Sequence, residues 1–326
     1  MSEYFYDYLK TLIPEERILR DEPMEGHTSF RVGGPADYYL RPKNVRELSE
    51  LIRYFNLVGR EYIVIGNGSN LLVGDHGYRG VVIELLSNFN GIEVGGRAIS
   101  GNEDDSPDED LSGSSGSTDY TIRAQAGVML HRVALAAEKA GLSGFEFASG
   151  IPGTVGGAMV MNAGAYGGEM ADIVSEVEAV TPDGEIVTLK PRDLKFGYRS
   201  SIFRREKFVA VGTVFSLKPG DPQEIRAKME ELNQRRRAKQ PLEFPSAGST
   251  FKRPEGYFAG KLIMDAGLSG LTIGGAKVSE KHCGFIVNTG NASAADILDL
   301  INEVQEKVYQ RFDVKMEPEV CMIGEF

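Results

Sequence analysis

Two glycine clusters with short polar neighbours interrupt this chain of 326 residues. Gly66, Asn67, Gly68, Ser69 and Asn70 follow directly on the apolar run YIVI. The stretch GIPGTVGGAMVMNAGAYGG, residues 150–168, holds seven glycines in nineteen positions, with Gly153, Thr154, Gly156 and Gly157 grouped near its start. An apolar strand, glycines, then Ser and Asn bring backbone N–H groups and short side chains to one point, which suits phosphate oxygens. A sharp strand-end turn explains the first cluster equally well. Neither cluster completes a known fingerprint. The GxGxxG pattern fails at Leu71, and GxxxxGK[ST] is absent from the chain. Cations are sparse around both. A diphosphate held by backbone amides, as in a dinucleotide such as FAD, therefore fits better than a triphosphate, which calls for lysine and Mg²⁺ ligands.

Other stretches carry isolated chemistry. GHTSFRVGGPADYYL (26–40) is a third glycine turn, with Arg31 as its cation and a packed hairpin as its plain alternative. GYRSSIF (197–203) carries Arg199, PSAGSTFKRP (245–254) carries Ser249, Lys252 and Arg253, and MEPEV (316–320) carries Glu319. The run RRRAK (235–239) reads as a solvated helix end that would hold phosphates only at the mouth of an anion site. No histidine is spaced to activate a serine; His27, His76, His131 and His282 read as structural. Cys283 and Cys321, both in apolar contexts, make neither a disulfide framework nor a zinc site, and are expected as buried thiols in a reducing compartment. No metal is implied.

The elements that must position these residues are legible from periodicity. In NVRELSELIRYFNLVGR (44–60), Asn44 caps a helix whose stripe is Val45, Leu48, Leu51, Ile52 and Phe55. Helices are also expected over 128–144, stopped near Gly141, over 221–241, opened by Asp221-Pro222, and over 293–312, opened by the Ser293/Asp296 capping pattern. Strands are expected at 36–40, 62–66, 80–85, 120–126, 208–217 and 284–288, with a hairpin over 176–190 turning at Asp183-Gly184. This order has no strict βαβ beat, which favours α+β with more than one sheet over a doubly wound parallel sheet.

The net charge is −11, and six of the acids fall in the eight residues 103–110. The segment 101–118 is acidic and Ser/Gly-rich, and reads as a solvated, extended hairpin loop that buries too little to order itself. A generally acidic chain argues against non-specific nucleic-acid binding. Without an apolar leader or an 18-residue apolar run, a cytoplasmic protein that binds no membrane is expected.

In order, TSFRVGG (28–34), IGNGSNLLV (65–73), GLSGFEFASGIPGTVGGAMVMNAGAYGGE (141–169), GYRSSIF, PSAGSTFKRP, KHCGFIVN (281–288) and EPEVxxIG (317–324) resemble the UDP-N-acetylenolpyruvoylglucosamine reductase family of bacterial peptidoglycan synthesis. Only 50 residues separate Arg199 from Ser249, which matches its shorter, type II form. The resemblance implies a three-domain α+β fold: a PCMH-type pair of FAD-binding domains, 1–75 and 76–217, a substrate domain, 218–317, and a C-terminus, about 318–326, packed back on the first. It implies non-covalently bound FAD, contacted by Arg31, by residues 66–70 and by Gly153, Thr154, Gly156 and Gly157, with NADPH as co-substrate. The implied substrate is UDP-N-acetylglucosamine enolpyruvate and the enzyme a monomer. Three departures stand out: His27 where asparagine is common, Arg253 after Lys252 where the longer type has asparagine, and the acidic insertion.

The implied reaction reduces the flavin with NADPH, then delivers hydride from flavin N5 to C3 of the enolpyruvyl group and a proton to C2. By motif match Arg199 and Glu319 flank the carboxylate and Ser249 gives the proton, Glu319 acting either as a protonated donor or as an orienting group. Tyr166, Lys239, Lys252, Arg253, Tyr257 and Lys261 are the implied substrate contacts, each with a surface or packing role as its alternative. Two rivals are an FAD-dependent sugar or alcohol oxidase of the related fold and a non-catalytic nucleotide-sugar binding protein.

Overall fold

The computed structural model describes residues 3–95, 97–99 and 120–326, so the acidic stretch 101–118 lies outside the described residues. Two compact units share the chain. One gathers Met1–Ile13, Arg41–Gly59 and Glu84–Asn233; the other gathers Pro14–Leu40, Arg60–Ile83 and Gln234–Phe326.

In the first unit, six strands pair antiparallel in the order Ile186–Leu189, Val174–Val180, Val209–Ser216, Thr121–Gln125, Ile92–Val94, Arg97–Ile99. The expected turn at Asp183-Gly184 joins the first two, and Gly184 takes a φ of +79° there. The helices of this part of the chain are α1 (Glu3–Leu12), α2 (Val45–Val58), α3 (Leu130–Lys139), α4 (Val155–Met161), α5 (Ile202–Arg205) and α6 (Pro222–Lys239). Asn44 caps α2 by accepting the Glu47 N–H at 3.0 Å, and the helix stops at Gly59 in the left-handed region. Its stripe meets α1 through Phe5 and Phe55, whose ring centroids are 6.2 Å apart. Val133, Ala134 and Ala137 of α3 and Val155, Ala158 and Met159 of α4 join Ile122, Ala124, Val177, Ala179 and Phe215 of the sheet in one core. Each large side chain so buried contributes ~1.5–3 kcal/mol.

The second unit holds a four-stranded sheet in the order Ile18–Pro23, Pro35–Leu40, Tyr78–Glu84, Tyr62–Ile65, in which Pro35–Leu40 and Tyr78–Glu84 run parallel. It also holds α7 (Ala259–Asp265), α8 (Ala294–Phe312) and three short antiparallel strands, Thr272–Ile273, Ala276–Val278 and Ile286–Asn288. Ile297, Leu300, Ile301, Val304 and Val308 of α8 are all fully buried, packed in one cluster with Ile263, Ala276, Val278 and Ile286. The expected capping box forms at Ser293 and Asp296. The N–H groups of Gly275 and Ser293 hold the Asp296 carboxyl below its ordinary range.

A second cap on α8 comes from far away in sequence. The Asp75 carboxylate accepts the N–H of Ala294 at 2.8 Å and of Ala295 at 2.9 Å. Two of the helix's first amides are thus satisfied by one negative charge at the positive end of its dipole. Asp75→Ala is expected to lower stability by ~1–2 kcal/mol, read as a lower denaturant midpoint. An unmoved midpoint would show that Ser293 and Asp296 suffice.

The strands Leu71–Val73 and Cys321–Ile323 pair in parallel, Cys321 opposite Leu71. Here one sequence expectation is corrected. Cys283 is buried, but Cys321 is exposed. Apolar neighbours promised a buried thiol, yet in extended chain adjacent side chains point opposite ways, and it is Val320 that goes inside. No helix among the described residues is long and apolar enough to cross a membrane.

Candidate functional site

The first glycine cluster is a turn between strands Tyr62–Ile65 and Leu71–Val73 of the second unit. Gly68 has a φ of +58°, and a Cβ built on it would sit 1.9 Å from the His27 carbonyl oxygen. Its carbonyl accepts the Ser29 N–H at 3.2 Å. This glycine is therefore demanded by the neighbouring segment 27–29, which leads into the TSF motif at 28–30. The N–H groups of Gly68 and Ser69 find no acceptor among the described residues, so the turn keeps the donors a phosphate cradle needs. Arg31 is exposed with a φ of +57°, in a turn closed by its N–H to the Thr28 carbonyl at 3.1 Å. His27 is fixed between Glu22, at 2.8 Å, and the Tyr39 hydroxyl, at 3.0 Å.

Ser249 and Glu319 meet in the same unit through a stretch of antiparallel backbone. The Glu319 N–H donates to the Thr250 carbonyl at 2.8 Å, the Lys252 N–H donates to the Glu317 carbonyl at 2.8 Å, and Phe251 lies opposite Pro318. Asn70 ends the glycine turn against this pair: its side-chain N–H donates to the Glu319 carbonyl at 3.2 Å, and its own carbonyl accepts the Cys321 N–H at 3.0 Å. Three motifs separated in sequence, 66–70, 249–252 and 317–321, are thus hydrogen-bonded into one array. Both Ser249 and Glu319 are half-buried.

The implied substrate contacts of this unit have partners of their own. Lys252 reaches Glu317 at 2.9 Å and holds that carboxyl below its ordinary range. The Arg253 guanidinium donates to the Tyr257 carbonyl at 3.2 Å and lies 4.0 Å from the centre of the Phe258 ring. Lys261 pairs with Asp265 along α7 at 2.8 Å. Lys239 is the last residue of α6 and lies close enough to His282 to act on its charge. His282 accepts the Gly284 N–H on Nδ1 at 3.1 Å; burial, with Lys239 adding to it, lowers its pKa below the ordinary histidine value.

The first unit contains the other cluster, which sequence reading treated as bare backbone. Thr154 caps α4 instead. The N–H groups of Val155 and Gly156 donate to the carbonyls of Val128 and Ala126, each at 2.8 Å, and that of Gly157 to the Thr154 hydroxyl at 3.3 Å. A Cβ on Gly156 would meet Ala126 at 3.0 Å, so this glycine serves helix-against-strand packing. The N–H groups of Gly153 and Thr154 find no acceptor among the described residues.

Asn162 ends α4 in the left-handed region with a φ of +41° and is almost fully buried. Its side chain accepts the Ala171 N–H at 2.9 Å and donates to the Gly197 carbonyl at 3.3 Å. It thereby anchors two turns that carry site candidates. Tyr166 and Gly167, with φ of +54° and +92°, form the tip of a hairpin in which Gly164–Ala165 pairs with Gly168–Glu169. Arg199, with a φ of +50°, sits in the turn closed by reciprocal bonds between Gly197 and Ser200. Its guanidinium lies 5.3 Å from the centre of the Tyr198 ring. Left-handed backbone costs a non-glycine residue ~1–2 kcal/mol, and such strain concentrates at working sites. Arg31, Tyr166 and Arg199 all carry it. Thr250 lies within the PSAGSTFKRP stretch, but its residue type gave no reason to single it out beside Ser249, Lys252 and Arg253.

Known proteins resemble this chain along its length. The description "FAD binding domain" matches residues 36–190, and "UDP-N-acetylenolpyruvoylglucosamine reductase, C-terminal domain" matches 240–323. The chain is 51% identical over 326 residues to the UDP-N-acetylenolpyruvoylglucosamine reductase of Agathobacter rectalis, covering all of both chains. It is 48% identical over 324 residues to that of Clostridioides difficile, covering 99% of each. The crystal structure of the same reductase from Thermus caldophilus superimposes with a TM-score of 0.73 at 35% identity, covering 94% of this chain and 98% of that one.

Proposed function

The chain belongs to the UDP-N-acetylenolpyruvoylglucosamine reductase family, and from that premise we propose that it reduces UDP-N-acetylglucosamine enolpyruvate to UDP-N-acetylmuramate with electrons from NADPH. It is an FAD-dependent oxidoreductase of peptidoglycan synthesis. The reading rests above all on the array of the second unit, where one hydrogen-bonded network joins the glycine turn to Glu319 and to Thr250, the residue next to Ser249.

The residues present suit FAD. The N–H groups of Gly68 and Ser69, and in the first unit those of Gly153 and Thr154, are donors for a diphosphate. Arg31, Gly66, Asn67, Asn70, Gly156 and Gly157 complete the proposed cofactor contacts. When bound, FAD supplies the hydride. Everything else falls to this chain. Hydride arrival at C3 drives charge through C2 into the substrate carboxylate, so the enzyme must meet negative charge there and a basic carbon next to it. Arg199 supplies the positive charge, and Glu319 orients or protonates. Ser249 donates its proton to C2 and regains one from solvent. A hydroxyl is a weak acid and is competent here because the carbanion it faces is a strong base. Tyr166, Lys239, Lys252, Arg253, Tyr257 and Lys261 are the proposed contacts to the substrate's sugar, base and phosphates.

We also propose the family's division into 1–75, 76–217 and 218–317. Its support is the resemblance of the whole chain to that family. A monomer working in the cytoplasm completes the reading. The test is a visible spectrum of the purified protein under anaerobic conditions. NADPH should bleach the flavin bands and UDP-N-acetylglucosamine enolpyruvate should restore them. Bands that stay bleached after the second addition would overturn the substrate.

A further inference from the structure

We propose that Thr250 is a positioning residue for proton transfer, setting the places of Ser249 and Glu319 together. This rests on the reading of Ser249 as the proton donor.

Thr250 is all but fully buried, and its N–H, its hydroxyl oxygen and its carbonyl each engage a different partner. Its N–H donates to the Gly284 carbonyl at 2.8 Å. Its hydroxyl oxygen accepts the Ile286 N–H at 3.0 Å. Its carbonyl accepts the Glu319 N–H at 2.8 Å. One residue therefore joins the serine segment, the strand edge at 284–286 and the glutamate segment. Gly284 is braced in turn by His282, through its N–H to Nδ1.

On the other side of Ser249, Ala247 is buried and the Pro245 carbonyl accepts the Asn288 N–H at 2.9 Å, but residues 246–248 make no hydrogen bond among the described residues. Gly248 has a φ of +77°, and a Cβ there would meet nothing within 4 Å. The Ser249 hydroxyl makes no hydrogen bond among the described residues, so its aim is set by backbone alone. The backbone it inherits is that of Thr250. Glu319 is held the same way: Thr250 takes its N–H while Asn70 takes its carbonyl. Moving Thr250 shifts donor and carboxylate as a pair.

Thr250→Val keeps the branched shape and deletes the acceptor, leaving the buried Ile286 N–H unmatched. Thr250→Ser keeps the acceptor and loses one methyl. With Thr250→Val, reoxidation of the NADPH-reduced flavin by UDP-N-acetylglucosamine enolpyruvate should slow ~10- to 100-fold, the cost of a small misplacement of reacting groups. Bleaching by NADPH should be unchanged, and Thr250→Ser should restore most of the lost rate. Amide hydrogen exchange at Ile286 and Glu319 should quicken in the valine variant and return to normal in the serine variant. Should the valine variant not fold, Thr250→Ala deletes the same oxygen and takes its place. Normal reoxidation in the valine variant, an equal loss in both half-reactions, or no rescue by serine would overturn the proposal. Ser249→Ala separates the two readings. If that variant reoxidises normally, the serine assignment has failed; if it is slow while Thr250→Val is fast, only the role of Thr250 has.

Discussion

Ser249→Ala is expected to leave NADPH able to bleach the flavin while slowing reoxidation by the enolpyruvyl substrate ~10²–10³-fold, the typical loss of one positioned donor. The asymmetry is the informative part. In the proposed reading alanine removes an oxygen and a proton that only the second half-reaction needs, and the Ser249 hydroxyl makes no hydrogen bond among the described residues that its loss would break. Anaerobic stopped-flow measurements resolve the two halves. A loss shared by both would mean that alanine disturbs the site at large, and a loss in neither would remove Ser249 from the chemistry. In the proposed reading, the residual rate measures what Arg199 and Glu319 achieve without Ser249.

Gly68→Ala is expected to produce colourless protein. The added methyl would lie 1.9 Å from the His27 carbonyl oxygen and 2.9 Å from its carbon, and that neighbour is backbone, which has nowhere to rotate. A left-handed φ of +58° adds strain for any Cβ. Either the turn or segment 27–29 must move, and the amides of Gly68 and Ser69 move with it. Gly157→Ala is the matched control. Its methyl would approach nothing closer than the Thr154 hydroxyl at 3.5 Å, and alanine gains helix propensity of up to ~1 kcal/mol over glycine. Flavin-free Gly157→Ala should melt at or above the wild type yet retain less FAD, because that space is proposed for the cofactor. The readout is flavin per polypeptide after purification, beside the melting temperature. Full retention in the Gly68 variant would disconnect the turn from the cofactor; full retention in the Gly157 variant would take Gly157 out of the cradle.

The contrast between these glycines shows where sequence reading reaches its limit. Helices α2 and α8 were legible because cap, stripe and stop all lie within one helix length: Asn44 to Gly59, and Ser293 onward. Helix α4 was not. Its sequence, VGGAMVM, begins with two glycines in its first turn, and local propensity argues against a helix. What makes it helical is tertiary: carbonyls of Val128 and Ala126 receive its first amides, and Ala126 forbids a side chain at Gly156. Helix α7 was hidden in the same way, within a polar, glycine-rich stretch.

The site follows the same rule. Arg199, Ser249 and Glu319 were named by motif order alone, since nothing in their spacing predicts that 249–252 runs beside 317–319. Thr250 and Asn162 do their work through buried bonds to distant backbone, and a one-dimensional pattern contains no trace of such bonds. The positive φ of Arg31, Tyr166 and Arg199 is likewise invisible beforehand, because sequence statistics assign left-handed turns to glycine and asparagine.

The bond from Asn70 to Glu319 spans 249 residues of chain. At a synthesis rate of ~5–20 residues per second, a nascent polypeptide exposes Asn70 roughly ten to fifty seconds before its partner has been made. The glycine turn is therefore translated early and finished late. In the proposed reading, flavin loading waits until the segment around Glu319 has been made and has folded against the turn.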